Sequence, residues 1–178
     1  ILVTTGKGVI AVDEASGKIN TRFGKKGSYG NDLSLVSPIA SDQKVFVAFR
    51  TKIESFFLNS GKKNWTFDLN GARVWSGFSF DKETKTIAVV TSNLINLWGK
   101  TNISPDYSNS LILINSKTGK LNCVFKDVKH DHWDLDMVGS PIFTNIIFNN
   151  KTIRAVYAFS KTGNIFAIDV NKCKFIFN

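Results

Sequence analysis

The segment 129–136 concentrates the side chains of this 178-residue chain that are most able to do chemistry. It holds both histidines of the protein, His130 and His132, and two carboxylates, Asp134 and Asp136. If the segment is extended, alternate residues point to the same side, so these four side chains are expected to share one face. Imidazole and carboxylate groups in such an array bind metal ions or transfer protons.

One interpretation of the array is a transition-metal site. The run His130-x-His132-x-Asp134 is similar to the first part of the metallo-β-lactamase ligand motif. A catalytic zinc ion usually takes three protein ligands, mostly histidines. That motif continues with a histidine after the aspartate, where this chain has Leu135, and the sequence contains no third histidine. The zinc interpretation is therefore disfavoured.

The sequence around the segment predicts the strands that must position it. Short apolar runs with a period of two recur along the chain, and Gly, Asn, Asp and Ser bound them. Runs of about five β-branched and aromatic residues are typical of β-strands. No stretch keeps a helical stripe, and no run of about 18 apolar residues exists that would span a membrane as a helix. With 43% hydrophobic and 21% charged residues, the composition is that of a globular protein, and we predict an all-β chain with almost no helix.

A polar turn repeats four times along the chain. Its frame is a strand, a polar turn that usually holds a glycine, a lysine, and a second strand with an apolar or aromatic residue. A unit of about 40 to 60 residues with several strands is typical of propeller blades. We predict a single domain over 1–178, a partial β-propeller of about three and a half four-stranded antiparallel blades. The turns lie at 13–18, 59–63, 115–120 and 169–174, and the approximate blades are 1–40, 41–80, 81–128 and 129–178.

The two ends of the chain lie within apolar runs, Ile1-Leu2-Val3 and Phe175-Ile176-Phe177. We therefore expect a fragment of a longer protein. Each blade of a propeller buries both faces against its neighbours. The two cut faces are then expected to be covered by missing blades from the rest of the protein or by a second copy of the chain.

The basic charge of the chain has a simple interpretation. Lys and Arg number 23 and Asp and Glu 14, which gives a net charge of +9. The lysines cluster at the predicted turns, where they are solvated and protect strand edges. Binding of nucleic acid would need basic residues interleaved with exposed aromatic side chains on one face, whereas the aromatics here alternate into the sheet. Nucleic acid is therefore not an expected partner.

The two cysteines, Cys123 and Cys173, are too few for a disulfide framework. Their neighbours alternate as residues of strands do. The pattern favours two small buried thiols over a disulfide.

The acidic segment has three companions, which occur in a fixed order along the chain. They are Trp75-Ser76-Gly77-Phe78-Ser79-Phe80-Asp81, the strand and turn from Tyr107 to Lys120, and Lys161-Thr162-Gly163-Asn164-Ile165-Phe166. Together with His130-Asp131-His132-Trp133-Asp134-Leu135-Asp136, this set resembles the pyrroloquinoline quinone (PQQ) dependent dehydrogenases, closest to the membrane-bound glucose dehydrogenase branch. The similarity covers nearly the whole chain and implies less than half of that family's eight-bladed propeller.

The resemblance implies roles for five residues. Asp134 falls on the general base, Lys161 on the lysine that contacts the quinone oxygens, and Trp75 on the tryptophan under the cofactor ring. Asn93 and Asp136, together with Asp134, fall on ligands of a Ca²⁺ ion. PQQ is a planar anionic quinone, so an aromatic face and a cation suit it. We expect Asp134 and Lys161 to lie close together, at matching ends of consecutive blades.

The function implied by the resemblance is that of a periplasmic dehydrogenase. Such an enzyme oxidises a sugar or alcohol hydroxyl with transfer of hydride to PQQ, and a quinone or cytochrome accepts the electrons. The resemblance implies descent from these enzymes rather than activity of these 178 residues alone. The alternative is a PQQ-like propeller without cofactor that acts as a binding or scaffold module, of the kind used in outer-membrane protein assembly.

Overall fold

The structure, a computed structural model, describes residues 1–6, 8–29, 36–93 and 107–177. These ranges contain β-strands and no helix, and thus no helix that is long and apolar enough to cross a lipid bilayer. The all-β prediction is confirmed. The strands are β1 (Leu2–Thr5), β2 (Gly8–Ala11), β3 (Ser28–Tyr29), β4 (Ile39–Ser41), β5 (Lys44–Phe49), β6 (Lys52–Phe57), β7 (Lys63–Asp68), β8 (Arg73–Asp81), β9 (Thr86–Ser92), β10 (Ser110–Asn115), β11 (Leu121–Lys126), β12 (Met137–Phe148), β13 (Lys151–Ser160), β14 (Ile165–Asp169) and β15 (Lys174–Phe177).

The strands form four antiparallel sheets in which neighbours in sequence are neighbours in space. The first sheet is β1-β2-β3, the second β4-β5-β6-β7, the third β8-β9-β10-β11 and the fourth β12-β13-β14-β15. Three sheets of four strands and one of three agree with a partial propeller of about three and a half blades. The predicted boundary between residues 80 and 81 is wrong, because β8 pairs with β9 through Phe80↔Ile87 and therefore begins the third sheet at Arg73.

The sheets stack face to face because their central strands are apolar on both sides. In β5, Phe46 and Ala48 pack in the core with the third sheet, whereas Val45, Val47 and Phe49 pack with the first sheet. The same alternation in β9 places one set of side chains against the second sheet and the other against the fourth. A period of two in a strand buried on both faces thus gives two cores, one on each side of the sheet.

The repeated turn has a second function, which is to join one sheet to the next. Phe23 of the first sheet's last connection lies against Gly61, and Trp65 of β7 lies against Gly119. A Cβ atom at Gly119 would come within 2.6 Å of the Trp65 ring, and the Trp65 indole N–H donates to Ser116 O at 3.0 Å. Both glycines have φ near +65° to +70°, a conformation that favours glycine. We call these two pairs the aromatic–glycine contacts.

Between the third and fourth sheets, a disulfide occupies the place that an aromatic–glycine contact has between the earlier sheets. Cys123 of β11 lies four residues after Gly119, as Trp65 lies four residues after Gly61, and it is bonded to Cys173 in the β14–β15 turn. Cys173 has φ 52° and donates its N–H to Asp169 O at 2.9 Å, as Gly119 does to Asn115 O at 2.8 Å. The prediction of two buried thiols is therefore wrong, because the β14–β15 turn reaches β11, the last strand of the third sheet, as the β10–β11 turn reaches β7.

A buried ion pair also joins the third and fourth sheets. Asp81 at the end of β8 accepts hydrogen bonds from Arg154 of β13 at both carboxylate oxygens, at 2.5 Å and 3.2 Å. The Thr84 N–H and hydroxyl donate to the same carboxylate at 3.1 Å and 2.7 Å. Burial opposes ionisation, but the hydrogen bonds from Arg154 and Thr84 prevail and lower the pKa of Asp81 to about 2. The carboxylate is therefore held ionised by its partners.

The Asp81–Arg154 pair gives a prediction about stability and pH. A carboxyl whose pKa is lower in the folded than in the unfolded chain stabilises the fold above its unfolded pKa, and this contribution disappears as the pH falls to about 2. We expect Asp81→Asn to lower the free energy of unfolding by about 2 kcal/mol at pH 7 and to flatten its pH dependence between about pH 4 and 2. Urea unfolding over pH 2–7 measures both effects.

The matched control is Asp42→Asn, because Asp42 pairs with Lys85 at 2.8 Å on the exposed surface. Solvent screens such a pair, so this variant should unfold as the unchanged chain does. An Asp81→Asn variant with an unchanged pH profile would show that the Asp81–Arg154 pair contributes nothing to stability.

Candidate functional site

The predicted site residues lie at the junction of the third and fourth sheets. Strands β8 and β12 run side by side at the edges of their sheets, and side chains of β8 bond to the backbone of β12. The Trp75 indole N–H donates to Met137 O at 3.1 Å, and the Ser76 hydroxyl donates to Gly139 O at 3.2 Å. Gly77 allows this approach, because a Cβ atom there would overlap the Ser140 side chain. The junction therefore places Trp75 next to the start of β12.

The acidic segment before β12 is not extended. Residues 127–136 form turns and bends, and Asp134 has a left-handed backbone with φ 61°. The expectation that four side chains of an extended segment share one face is therefore wrong. Both histidines are exposed, and Trp133 is 82% exposed, whereas Asp136 is buried. The turn arises because Asp131 accepts backbone N–H groups of later residues in the same segment, which an extended strand would not permit.

Lys161 brings the two carboxylates together. Its ammonium group lies 2.8 Å from Asp134 Oδ2 and 2.9 Å from Asp136 Oδ2. Asp134 and Lys161 are close, as expected, but the reason given from the sequence is wrong. Both residues adjoin the fourth sheet, where Asp134 precedes β12, Lys161 follows β13, and the adjacent ends pair through Met137↔Ser160.

The remaining predicted residues adjoin this cluster. The Lys161 ammonium lies 5.0 Å from the centroid of the Trp75 ring, which is 38% exposed. The Asn93 N–H donates to Asp136 Oδ1 at 2.7 Å, and its side-chain amide lies 3.4 Å from Asp134 Oδ1. The five predicted residues thus form one group. It borders an open cavity of about 270 Å³, whose lining includes Arg50 and Arg73 as well as Trp75, Asn93 and Asp136.

The two carboxylates of the cluster have pKa values shifted in opposite directions. The hydrogen bond from Lys161 lowers the pKa of the Asp134 carboxyl, whose side chain is half exposed. Burial raises the pKa of the Asp136 carboxyl despite the same partner. Burial would lower the pKa of Lys161, but the hydrogen bonds to the two carboxylates raise it. The accessible carboxylate, Asp134, is therefore the one that its partners hold ionised.

Three residues that the sequence did not single out hold the cluster in place. Asp127 at the end of β11 accepts hydrogen bonds from the hydroxyls of Ser160 and Thr162, on either side of Lys161. Asp131 accepts N–H groups on either side of Asp134, and Asn109 donates to Asp131. Asp and Asn often stabilise turns through side-chain hydrogen bonds, so these residues could have been predicted to lie in turns. That preference does not identify the backbone groups that each side chain binds.

The described part of the chain defines a class of protein, an all-β partial propeller with an acidic and lysine cluster between two of its sheets. Solved structures have this fold. The chain superimposes on a europium-containing methanol dehydrogenase with a TM-score of 0.82 and 18% identity, over 99% of this chain and 39% of that one. It superimposes on the quinohemoprotein alcohol dehydrogenase of Comamonas testosteroni with a TM-score of 0.81 and 19% identity, over 98% of this chain and 33% of that one.

Residues 40–178 match the family described as "PQQ: Glucose/ethanol/alcohol dehydrogenase, beta-propeller domain", and the chain belongs to this family. It is 28% identical to quinoprotein glucose dehydrogenase A of Acinetobacter calcoaceticus over 90% of its length, and 26% identical to quinoprotein glucose dehydrogenase of Escherichia coli over 90%. In both cases the match covers 26% of the relative. The chain therefore spans about a quarter of the length of these relatives.

Proposed function

We propose that this chain supplies the cofactor-facing and substrate-facing residues of a PQQ-dependent dehydrogenase that oxidises a sugar or alcohol hydroxyl. The observation that carries the proposal is the convergence of Trp75, Asp134 and Lys161, from two sheets, beside an open cavity. Membership of the family supports the cofactor, since the family is named for PQQ enzymes.

The residues present suit a planar anionic quinone. The exposed part of the Trp75 ring offers a surface for stacking, and its N–H is already bonded to Met137 O, which fixes the ring plane. The Lys161 ammonium above that ring would donate to quinone oxygens, and Arg50 and Arg73 add positive charge at the cavity. When bound, PQQ supplies the redox chemistry, since it accepts the hydride, with its electron pair, from the substrate carbon.

Asp134 would act as the general base. It would take the proton of the substrate hydroxyl while a hydride leaves the carbon that bears this hydroxyl. The alcohol carbon then becomes a carbonyl carbon, and charge is conserved. Its partial exposure gives a substrate access, and the Lys161 hydrogen bond keeps it ionised. Asp136 is buried and would hold Lys161 rather than react.

A Ca²⁺ ion suits the oxygen donors but needs more of them. Asn93, Asp134 and Asp136 offer amide and carboxylate oxygens, which hard cations prefer, and Ca²⁺ takes about six to eight such ligands. The described residues contain no group of three or more His, Cys, Asp or Glu side chains arranged to hold a metal. A Ca²⁺ ion at this position would therefore need further oxygen ligands beyond these three residues. The ion would polarise a bound quinone oxygen.

The disulfide supports a periplasmic location. Disulfides form and persist in oxidising compartments, and Cys123–Cys173 joins two sheets of this chain. A periplasmic dehydrogenase passes its electrons to a quinone or cytochrome acceptor, which we propose as its redox partner. We also propose that the outer faces of the first and fourth sheets are covered, either by blades from the rest of the protein or by a second copy of the chain.

A titration with PQQ tests the proposal. The chain is expected to bind PQQ in the presence of Ca²⁺ with a change in quinone absorbance, and Trp75→Ala should weaken binding by about 10- to 100-fold, because roughly 1.4 to 2.8 kcal/mol of stacking and contact is lost. Lys161→Met should weaken binding to a similar extent. The matched controls are Trp133→Ala, which removes a tryptophan that is 82% exposed, and Lys172→Met, which removes an exposed lysine of the β14–β15 turn.

The outcome also decides between the two functions considered. If the folded chain shows no quinone absorbance at saturating PQQ and Ca²⁺, the enzyme proposal fails, and a propeller without cofactor that acts as a binding or scaffold module is favoured. Equal binding by Trp75→Ala and the unchanged chain would remove Trp75 from the site.

A further inference from the structure

Behind the proposed base lies a pair of polar residues to which the family resemblance assigns no role. Asn109 precedes β10 in the third sheet, and Asp131 lies in the acidic segment before β12. We propose that Asn109 and Asp131 are a positioning pair that fixes the backbone of Asp134 relative to Asn93. The importance of Asp134 in this inference rests on the proposed function, but the geometry of the pair does not.

Asp131 holds the backbone on both sides of Asp134. Its Oδ1 accepts the Trp133 N–H at 2.9 Å, and its Oδ2 accepts the Leu135 N–H at 2.8 Å. Asp134 lies between these two amides with φ 61°, in the left-handed region that residues with a side chain adopt uncommonly. The two hydrogen bonds stabilise this conformation, since they fix both neighbouring peptide groups to one carboxylate.

Asn109 connects this carboxylate to the third sheet. Its side-chain amide donates to Asp131 Oδ2 at 2.8 Å, its backbone N–H donates to Ser92 O at 3.2 Å, and its carbonyl accepts the Asp127 N–H at 3.0 Å. Ser92 ends β9 directly before Asn93. One residue therefore sets the positions of the backbone that carries Asn93 and of the backbone that carries Asp134.

The burial of Asn109 supports a positioning role. The residue is completely buried, and its Oδ1 has no hydrogen-bond partner among the described residues. Burying an amide oxygen without a hydrogen-bond partner is unfavourable. The amide at this position is therefore explained by the hydrogen bond that its N–H₂ group donates to Asp131. The direct contact between the Asn93 amide and Asp134 Oδ1, at 3.4 Å, is long, so Asn93 does little to fix Asp134 by itself.

The test measures backbone amide hydrogen exchange in the whole chain, without cofactor. Asp131→Ala removes both acceptors, and Asn109→Gly removes the side-chain amide while it tolerates the positive φ of residue 109, which is 49°. We expect exchange at Trp133 and Leu135 to rise by about tenfold or more in Asp131→Ala, as protected amides become open to water. A smaller rise is expected in Asn109→Gly, with exchange in β13 and β14 unchanged.

Two further variants separate positioning from a general loss of stability. Asp68→Ala is the matched control, because Asp68 accepts the Asn70 N–H at 2.7 Å in a turn of the second sheet. It should not alter exchange at Trp133 or Leu135. The double variant N109D/D131N exchanges donor and acceptor between the two residues. It should recover part of the protection of the Trp133 N–H that is lost in Asn109→Asp, where two carboxylates face each other. It should not recover that of the Leu135 N–H, which Asp131 Oδ2 accepts together with the Asn109 amide.

The outcomes of the exchange and of PQQ experiments are distinct. Unchanged exchange at Trp133 and Leu135 in Asp131→Ala, or no recovery at Trp133 in the double variant, would overturn the positioning pair. If the unchanged chain binds no PQQ but the exchange results are as expected, the pair stands and the proposed function fails. If PQQ binds, Asp131→Ala should lower kcat by about 10²-fold with a smaller effect on KM, because a displaced base slows the proton transfer more than it weakens binding.

Discussion

Replacing Asp134 with asparagine is expected to reduce PQQ-dependent oxidation by about 10²- to 10⁴-fold, the range in which a positioned general base contributes. Asparagine has nearly the same shape, and its carbonyl oxygen can still accept the hydrogen bond that the Lys161 ammonium now donates to Asp134 at 2.8 Å. What it lacks is the capacity to take a proton from the substrate hydroxyl. The measurement is the steady-state rate with a sugar or alcohol and an artificial electron acceptor, after loading with PQQ and Ca²⁺.

The control for this prediction is the effect on binding. Asp134→Asn should retain most of the PQQ affinity, because Trp75 and Lys161 are unchanged, and Asp68→Asn in the second sheet should retain the full rate. An Asp134→Asn variant that oxidises substrate within about threefold of the unchanged protein would remove Asp134 from the role of base.

Opening the disulfide is expected to have the largest effect on stability. Cys123 and Cys173 are 50 residues apart, and the chain-entropy model gives about 4 kcal/mol for closing a loop of that length. Equilibrium unfolding in urea, with and without a reductant, measures the difference. The double variant C123S/C173S should unfold as the reduced chain does and should not respond to reductant.

The repeated turn provides a matched comparison for this experiment. Because Cys123 and Cys173 occupy the positions of Trp65 and Gly119, the variant C123W/C173G transfers the aromatic–glycine contact to the place between the third and fourth sheets. It should be more stable than C123A/C173G, by about 1 to 3 kcal/mol of buried aromatic surface. If reduction leaves the urea midpoint unchanged, the disulfide does not constrain the unfolded chain of this protein as the entropy model requires.

The strands and their order could be predicted because one local pattern, the alternation of apolar residues, is present in nearly every sheet. The acidic segment could not, since alternation of polar residues does not distinguish a strand from a turn. His130, His132, Asp134 and Asp136 alternate in the sequence, yet Asp131 binds two later N–H groups and bends the chain. A short-range side-chain hydrogen bond overrode the period of two.

The cysteine prediction failed for a different reason. Cys123 lies in a strand and Cys173 in a turn of the next sheet, and nothing in their immediate neighbours shows that the two meet. The sequence did hold a clue, because Cys173 stands where three earlier turns have a glycine with positive φ. A cysteine instead of glycine at such a position is unusual, and here its side chain is bonded to Cys123.

The approach of Asp134 to Lys161 was predictable from the order of motifs, but not from the turn period. Dividing the chain at its repeated turns predicts only approximately which strands share a sheet. Strand β8, for example, was predicted to end the second blade but begins the third sheet. The pairing of β12 with β13 is what brings the two residues together.

The aromatic–glycine contacts and the disulfide differ in strength along the chain, and we expect this difference to set the order in which the molecule opens. Phe23 on Gly61 and Trp65 on Gly119 are contacts that a local fluctuation can break, whereas Cys123–Cys173 cannot separate without chemistry. Partially unfolded forms should therefore lose the first sheet early and keep the third and fourth as one cooperative unit. Trp75 lies in the third sheet, Asn93 follows β9, and Asp134 and Lys161 adjoin the fourth sheet, so the cluster lies across the interface that the disulfide holds together.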